Sequence, residues 1–462
     1  MSSNVEEYRA SLNGAKILVV GLGRSGKAAV KALVSLGAKV CVQDSSEADK
    51  IDAEFAEYLK NENIEGFFAC TPDKTEEFDA FVLSPGVPTY LDWIEDAAKR
   101  GVEIIGELEL AFRISRGNYV AITGTNGKTT TTTLVGEIFK AAGRKTSVVG
   151  NIGNAVVAAA IDSTEEDWMV AEVSSFQLET TYEFKPLVSA ILNLTPDHLN
   201  RHKTMEAYGE AKARIFANQT EDNYLVLNFD DEASVALAVE CRAKIVPFSR
   251  KRQLGFGAYL CEGELVIKDE DGSVYKICAA DELRIIGDHN IENALAAAAM
   301  CYFAGIEVDV ISESVKAFPG VEHRIEYCGT VDGAMYYNDS KGTNVDAAVI
   351  ALKALRENII LIAGGDGKAQ DFTDLAVAMK GKVKALVLLG RDAAQIEECA
   401  RREGFTEIFN EKDMEGCVQR CRELAEEGDK VLLSPACASW DMYKSYEHRG
   451  RHFKDCVKAL ED

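Results

Sequence analysis

The sequence predicts an α/β protein of three domains with parallel sheets, on three observations. Short apolar runs end in glycine or small polar residues, as Lys16–Val20 does before Gly21 and Ile359–Ala363 before Gly364. Strand, glycine turn and helical spacing then alternate, the order that places helices on the faces of a parallel sheet. The 462 residues, 47% apolar and 27% charged, suit about two to four domains and offer too much apolar surface for a disordered chain.

In order, Lys16–Val20 opens into glycines, residues 27–36 have helical spacing, and 38–43 form a second strand ending at Asp44. A further strand at 81–83 is stopped by Ser84-Pro85-Gly86. A second system starts near Asn118, with a strand at 119–122, a glycine-rich turn at 124–130 and a helix through Ala141. Strands follow at 168–173 and 188–194, and residues 208–216 read as helix. Residues 222–277 are more β-like, with turns at Glu262-Gly263 and Asp271-Gly272, and an alanine-rich helix at 290–304 closes the region. After the break at Phe318-Pro319-Gly320, strands at Ile359–Ala363, 385–389 and Lys430–Leu433 predict a third doubly wound unit. Its ligand belongs beyond the carboxyl ends of those strands. The expected domains are 1–106, Rossmann-like; 107–320, a central ATPase of P-loop type; and 321–462, Rossmann-like again.

The charge excludes one class of partner. With 51 Lys+Arg against 75 Asp+Glu, the net charge of −24 repels polyanions, so no nucleic acid is expected. The apolar runs are far too short to span a membrane, and the start, MSSNVEEYRASLNG, has no leader pattern. Twelve cysteines without a CxxC read as reduced thiols of a cytoplasmic protein, and no zinc site is expected. A monomer is expected.

Two glycine-rich loops carry the first chemistry. Gly21-Leu22-Gly23-Arg24-Ser25-Gly26 fits GxGxxG between strand and helix, with Asp44 eighteen residues beyond the last glycine. That context serves a dinucleotide, another diphosphate such as a nucleotide-sugar, or simply a tight turn. Gly124-Thr125-Asn126-Gly127-Lys128-Thr129-Thr130 is sharper. Its successive N–H groups face phosphate oxygens, Lys128 reaches the β/γ-phosphates, and the Thr129 hydroxyl suits Mg²⁺. The usual P-loop would need glycine where Ile122 stands, so this is a variant loop. Glu172 and His198 each follow a strand of the same system, where Mg²⁺ would bind, and Lys212 lies fourteen residues after His198. In the third region, Asn338 to Asn344 and Gly365-Asp366-Gly367-Lys368 gather lysines and small polar groups suited to a carboxylate or phosphate. Cys437 has no obvious base nearby in sequence and is not expected to be a nucleophile.

GTNGKTT, EVSSFQLE, TPDHLNRH, HNIENALAA, EHRIE, NDSKGTN, GGDGK and LSPACASWDMY occur in this order. Together they resemble the Mur ligase family, and most nearly its D-glutamate-adding members, over roughly residues 16–453. The resemblance implies an ATP-dependent amide ligase of cytoplasmic peptidoglycan precursor synthesis, joining D-glutamate to UDP-N-acetylmuramoyl-L-alanine through an acyl phosphate. It implies that the first domain holds UDP rather than NAD. Gly23, Arg24, Ser25, Asp44, Ser45, Ser46, Ser84, Pro85 and Gly86 would face the UDP-substrate, with Asn151 near the muramyl-alanine. Gly124 to Thr130, with Asn290, Asn293, Arg324 and Asp339, would surround ATP. Two Mg²⁺ ions would be held by Thr129, Glu172, His198 and Lys212, the last as a carbamate; Lys128, Glu172, His198 and Lys212 would form the catalytic set. Lys341, Thr343, Lys368 and Ser439 would contact D-glutamate, beside Trp440 and Tyr446, where many members carry leucine and phenylalanine.

Overall fold

A computed structural model of the chain describes residues 2–368 and 370–460, and these fall into two compact units. Among the described residues the first comprises 2–282 and 291–317, the second 283–290 and 318–460.

The first unit contains two sheets. In the first, β1 (Lys16–Val20), β2 (Lys39–Asp44), β3 (Glu65–Phe68), β4 (Ala80–Leu83) and β5 (Glu103–Gly106) take the order β3-β2-β1-β4-β5, every pairing parallel. The central strands β1, β2 and β4 are buried at nearly every position, which is why they read as apolar runs, whereas the edge strand β3 has no fully buried residue. The second sheet holds β6 (Asn118–Thr123), β7 (Lys145–Gly150), β8 (Asp167–Glu172), β9 (Val188–Ile191), β10 (Tyr224–Asn228), β11 (Lys244–Ser249), β12 (Gly257–Cys261), β13 (Glu264–Lys268) and β14 (Val274–Ala279). Its order is β14-β13-β12-β11-β10-β9-β6-β8-β7, parallel except for the antiparallel β12-β13-β14 end. Thus β6 lies between β8 and β9, and their carboxyl ends share one edge.

One apolar cluster joins both sheets. Val19, Leu33 and Val82 belong to it, and so do Leu108, Ala111 and Ile114 of the helix Glu107–Ile114 and Val156, Val157 and Ala160 of Val156–Ala160. Burying apolar area at about 25 cal/mol per Å² favours such a continuous core over two separate ones.

The second unit carries β15 (Glu326–Val331), β16 (Ala334–Asn338), β17 (Ile359–Ala363), β18 (Val383–Leu388), β19 (Ile408–Asn410) and β20 (Lys430–Leu433), in the order β15-β16-β20-β17-β18-β19. All its pairings are parallel except the β15–β16 hairpin, which the sequence does not announce. No described helix is long and apolar enough to cross a membrane.

Two expected elements differ from the structure for local reasons. The strand expected at 188–194 ends at Ile191; Leu192 N still donates to Thr123 O at 3.1 Å, but from Leu194 on side chains capture the N–H groups. Leu194 N donates to Asp231 Oδ2 at 2.5 Å and Thr195 N to Thr125 Oγ1 at 3.0 Å. The helix expected at 208–216 runs over Met205–Ala213, because the Thr204 side chain caps it by accepting from Ala207 N at 3.1 Å.

Candidate active site

The carboxyl ends of β1, β2 and β4 open onto a cavity of about 710 Å³, large enough for a nucleotide-sized ligand. Gly23, Arg24, Ser25, Asp44, Ser45, Ser84, Pro85, Gly86 and Asn151 line it; Ser46 does not. Cys70, Thr71 and Trp93 line it as well, unforeseen because they sit in unremarkable sequence, and so does Gln177, which lies in the EVSSFQLE motif. The glycine turn is fastened from below. Asp44 Oδ2 accepts from Leu22 N at 2.7 Å, and Ser84 Oγ donates to Gly21 O at 2.7 Å. Burial works against the charged Asp44, yet hydrogen bonds from Leu22 and Ser46 hold its carboxyl below the usual range. Arg24 braces the loop after β7, donating to Gly150 O at 2.9 Å and Gly153 O at 2.6 Å.

That loop leads to the second sheet. Asn151 lines the cavity and donates from Nδ2 to Glu172 Oε1 at 2.7 Å. Glu172 ends β8 and is 1% exposed, and its Oε2 has no hydrogen-bond partner among the described residues. An unpaired buried carboxylate oxygen is costly unless a cation meets it. Just beyond it, Ser174 and Gln177 form a reciprocal capping box that fixes the chain's exit from β8.

The phosphate loop follows β6. Gly124 and Gly127 have φ of 150° and 84°, and Gly127 caps the helix Lys128–Ala141. A side chain at Gly127 would collide with Asn293 Oδ1, which accepts from Thr131 Oγ1 at 3.3 Å. Asn193 clamps the loop from β9, accepting from Asn126 N at 2.8 Å and donating to Asn126 O at 3.0 Å. Lys128 Nζ donates to Gly124 O at 2.9 Å and Thr125 O at 2.8 Å. Lys212, 1% exposed, donates to Gly124 O at 2.8 Å. Burial first, then the charge of Lys128, drives the Lys212 ammonium well below its ordinary range, with Asp197 opposing. Thr129 and Thr130 sit in the first turn of the helix, mostly buried.

His198 has φ of 54° and a half-exposed ring, 4.9 Å from the Phe176 ring and 3.4 Å from Asp197 Oδ2. Its neighbours Arg201 and His202 have structural partners that sequence reading missed. Arg201 pairs with Glu179 at 2.5 Å and donates to Val87 O at 3.2 Å, so it ties this loop to the cavity wall. His202 Nε2 lies 2.9 Å from Ser175 Oγ, and burial holds its ring below the usual imidazole range. The signal was present in TPDHLNRH, whose last two residues are these.

The second unit holds the remaining residues. Asp339 is buried; its Oδ2 accepts from Ser434 Oγ at 2.7 Å, and burial pushes its carboxyl up to about 7. Arg324 is exposed, its charge felt by Asp339, and Asn290 Nδ2 donates to Ile286 O at 2.8 Å. Lys341 Nζ lies 5.6 Å from the Tyr446 ring centre, and Thr343 N donates to Lys341 O at 2.9 Å. Lys368 Nζ lies 4.3 Å from the Trp440 ring centre, and Trp440 is 66% exposed beside the buried Ser439. Arg449, also missed, is 2% exposed and binds Ser340 O at 2.9 Å and Cys437 O at 3.1 Å. It thereby joins the loops that carry Lys341 and Ser439. Burial pushes the Cys437 thiol up to about 12, which suits packing rather than nucleophilic attack.

Known proteins are similar to this chain over almost its whole length. Residues 15–106 match the Mur ligase MurD-like N-terminal domain, 122–301 the Mur ligase middle domain, and 323–437 the Mur ligase glutamate ligase domain. A UDP-N-acetylmuramoylalanine–D-glutamate ligase of Thermoanaerobacter pseudethanolicus is 48% identical, covering 97% of this chain and 99% of its own. The protein of the same name from Clostridioides difficile is 47% identical over 97% of this chain and 99% of its own. The solved UDP-N-acetylmuramate-alanine ligase of Thermotoga maritima shares the fold, with a TM-score of 0.58 at 20% identity over 96% of this chain and 99% of that one. Three successive domain matches, and relatives at nearly half identity over almost their whole length, show that the chain belongs to the Mur ligase family.

Proposed function

We propose that this chain is the ATP-dependent ligase that joins D-glutamate to UDP-N-acetylmuramoyl-L-alanine, a step of peptidoglycan precursor synthesis. The name carried by relatives 48% identical supports the substrate pair. The observation that carries the mechanism is Asn151, which lines the nucleotide-sized cavity and also holds Glu172 beside the phosphate loop's strand. It brings the far end of a bound nucleotide-sugar toward ATP.

A carboxylate is a poor acyl donor, so ATP first converts the muramyl-alanine carboxylate into an acyl phosphate. The loop N–H groups from Gly124 to Thr130 and the Lys128 ammonium neutralise charge on the transferring phosphoryl group. Asn293 accepts from Thr131 in the helix that follows the loop, and Asn290, Arg324 and Asp339 would serve the adenosine end. The unpaired Glu172 Oε2 fits a hard cation. Two Mg²⁺ ions would be held by Thr129, Glu172, His198 and a carbamylated Lys212, and would supply charge neutralisation at the phosphates. The D-glutamate amine then attacks the acyl carbon and phosphate departs. Lys341 and Lys368, with Thr343 and Ser439, anchor the two carboxylates of the amino acid. The enzyme acts as a cytoplasmic monomer in this reading.

The test is phosphate release measured with UDP-N-acetylmuramoyl-L-alanine crossed against a panel of amino acids. Release that requires ATP, the nucleotide-sugar and D-glutamate together supports the reading. Release from ATP alone would instead make the protein a regulatory ATPase. Calorimetric binding of NADH in place of the UDP-sugar would make it an oxidoreductase.

A further inference from the structure

The second unit holds a cluster that the ligase reading does not use. Glu415 on the helix Met414–Leu424 faces His452 and Cys456 on the helix Tyr446–Lys458. One carboxylate oxygen, one imidazole nitrogen and one thiol sulfur lie within 4.8 Å of one another. His452 and Cys456 are one helical turn apart, so their side chains lie on the same face. His452 Nε2 is 2.9 Å from Glu415 Oε1, and its Nδ1 is 3.0 Å from the Tyr443 hydroxyl. As it stands, Nε2 donates to the carboxylate and Nδ1 can accept from Tyr443; an arriving cation would take the Nε2 position, with the ring proton moved to Nδ1 and donated to Tyr443. Such an outer partner is the usual orienting device of a metal-bound histidine.

A second cluster, Glu322, His323 and Glu326, has the same ligand types without the sulfur. There Lys454 already sits 2.7 Å from Glu322 and 2.8 Å from Glu326, so the chain supplies its own cation. At Glu415 the recorded ion-pair partner is His452 itself.

We propose that Glu415, His452 and Cys456 bind one divalent cation of the zinc class, with water as fourth ligand. Sulfur, imidazole and a single carboxylate are a borderline-soft set that disfavours Mg²⁺. At metal–ligand distances of about 2.0–2.3 Å in tetrahedral geometry, the 2.9 Å contact between Nε2 and Oε1 must open slightly to admit the ion, and the exposed Glu415 side chain is free to swing aside. On binding, the Cys456 thiol gives its proton to solvent as the metal–sulfur bond forms, and no electron is transferred. The ion cross-links two helices, one of which carries Arg449 and so fixes the loops of Lys341 and Ser439. Its role is to stabilise the second unit, not to enter the reaction. Spacing alone hid it, because the carboxylate comes from a different helix than the His and Cys.

The test is titration of the chelator-stripped full chain with Co²⁺ in excess Mg²⁺, with Zn²⁺ thermal shifts beside it. One equivalent of Co²⁺ should bind with a sulfur-to-cobalt charge-transfer band that Cys456→Ser abolishes. His452→Ala and Glu415→Gln should each weaken binding at least ~10-fold. Zn²⁺ should raise the Tm of the wild type but not of the His452→Ala/Glu415→Gln variant. Absence of the band, its persistence in Cys456→Ser, or an equal Zn²⁺ shift in the double variant would overturn the site. If Cys456→Ser fails to fold, the exposed Glu415→Gln variant decides the question by affinity.

Discussion

Lys128 and Lys212 end on the same atom: the carbonyl oxygen of Gly124 accepts from the first at 2.9 Å and from the second at 2.8 Å. Two ammonium groups so placed repel each other, and the more deeply buried one yields. Burial first, and then the neighbouring charge of Lys128, drives Lys212 toward its neutral amine, and in the proposed function Lys128 is the partner of phosphate. A neutral amine is the form that reacts with CO₂, and the product is an oxygen anion suited to a hard cation.

The first prediction follows from that division of labour. Lys212→Ala should lower kcat at least ~100-fold, and short carboxylic acids should restore part of it. The same acids should do nothing for Lys128→Ala, whose loss is of a cation. Phosphate release measures both, and carbon-13 NMR with labelled bicarbonate should show a carbamate in the wild type alone. Full activity in Lys212→Ala would remove the carbamate from the mechanism.

Glu172→Gln tests the cation on the neighbouring strand. The amide keeps an acceptor for Asn151 but gives up the charge on the unpaired Oε2. The Mg²⁺ concentration giving half-maximal activity should rise ~10–100-fold, while binding of the UDP-substrate alone stays near its wild-type strength. An unchanged Mg²⁺ dependence would show that Glu172 is not a ligand.

The two glycine loops were legible because strand, glycine turn and helix have a strict local code, and their strands are buried on both faces. Glu172 and His198 were legible only as carboxyl-end positions; the β9-β6-β8 order is what sets their strands beside the loop. Tertiary partners were not legible at all. Nothing local marks Arg449 as buried, Arg201 as a tie to Val87, or Glu107 as a carboxylate facing Val157 N across fifty residues. The β15–β16 hairpin escaped because β15 is the edge strand, with mostly half-exposed or exposed side chains and so a weak apolar pattern, even though its partner β16 is largely buried.

Glu107 gives a stability prediction. It is fully buried, accepts from Val157 N at 2.7 Å through Oε1, and its Oε2 has no partner among the described residues. Burial pushes its carboxyl from an ordinary 4.5 up to about 7, partly offset by the Val157 hydrogen bond and by Arg24. The folded state thus holds the proton that the unfolded chain releases. Stability from this group is full below the ordinary value and is lost as pH rises through about 7, by at most ~3 kcal/mol. Glu107→Gln keeps the acceptor and cannot ionise. Urea unfolding between pH 5 and pH 8 should show the wild type losing stability relative to this variant. Parallel curves would mean that Glu107 is charged in the fold.

The last prediction concerns the incoming amino acid: D-glutamate over L-glutamate, D-aspartate and D-glutamine. In the proposed function Lys341 and Lys368 would meet the two separated carboxylates, with Thr343 and the buried Ser439 as hydroxyl donors. Lys368 stands over the exposed face of Trp440 at 4.3 Å, a contact that holds the ammonium in place without neutralising it. An amino acid lacking the second carboxylate would leave one cation unmatched, and such mismatches cost about 10⁴–10⁵ in specificity. The L-isomer can anchor both carboxylates only by turning its amine away from the acyl phosphate. Lys368→Ala should therefore raise the KM for D-glutamate strongly and leave the KM for ATP nearly unchanged. Trp440→Ala should raise the D-glutamate KM less, because it removes the support of the cation and not the cation. Wild-type kcat/KM for L-glutamate or a diamino acid equal to that for D-glutamate would show that these four residues do not choose the substrate.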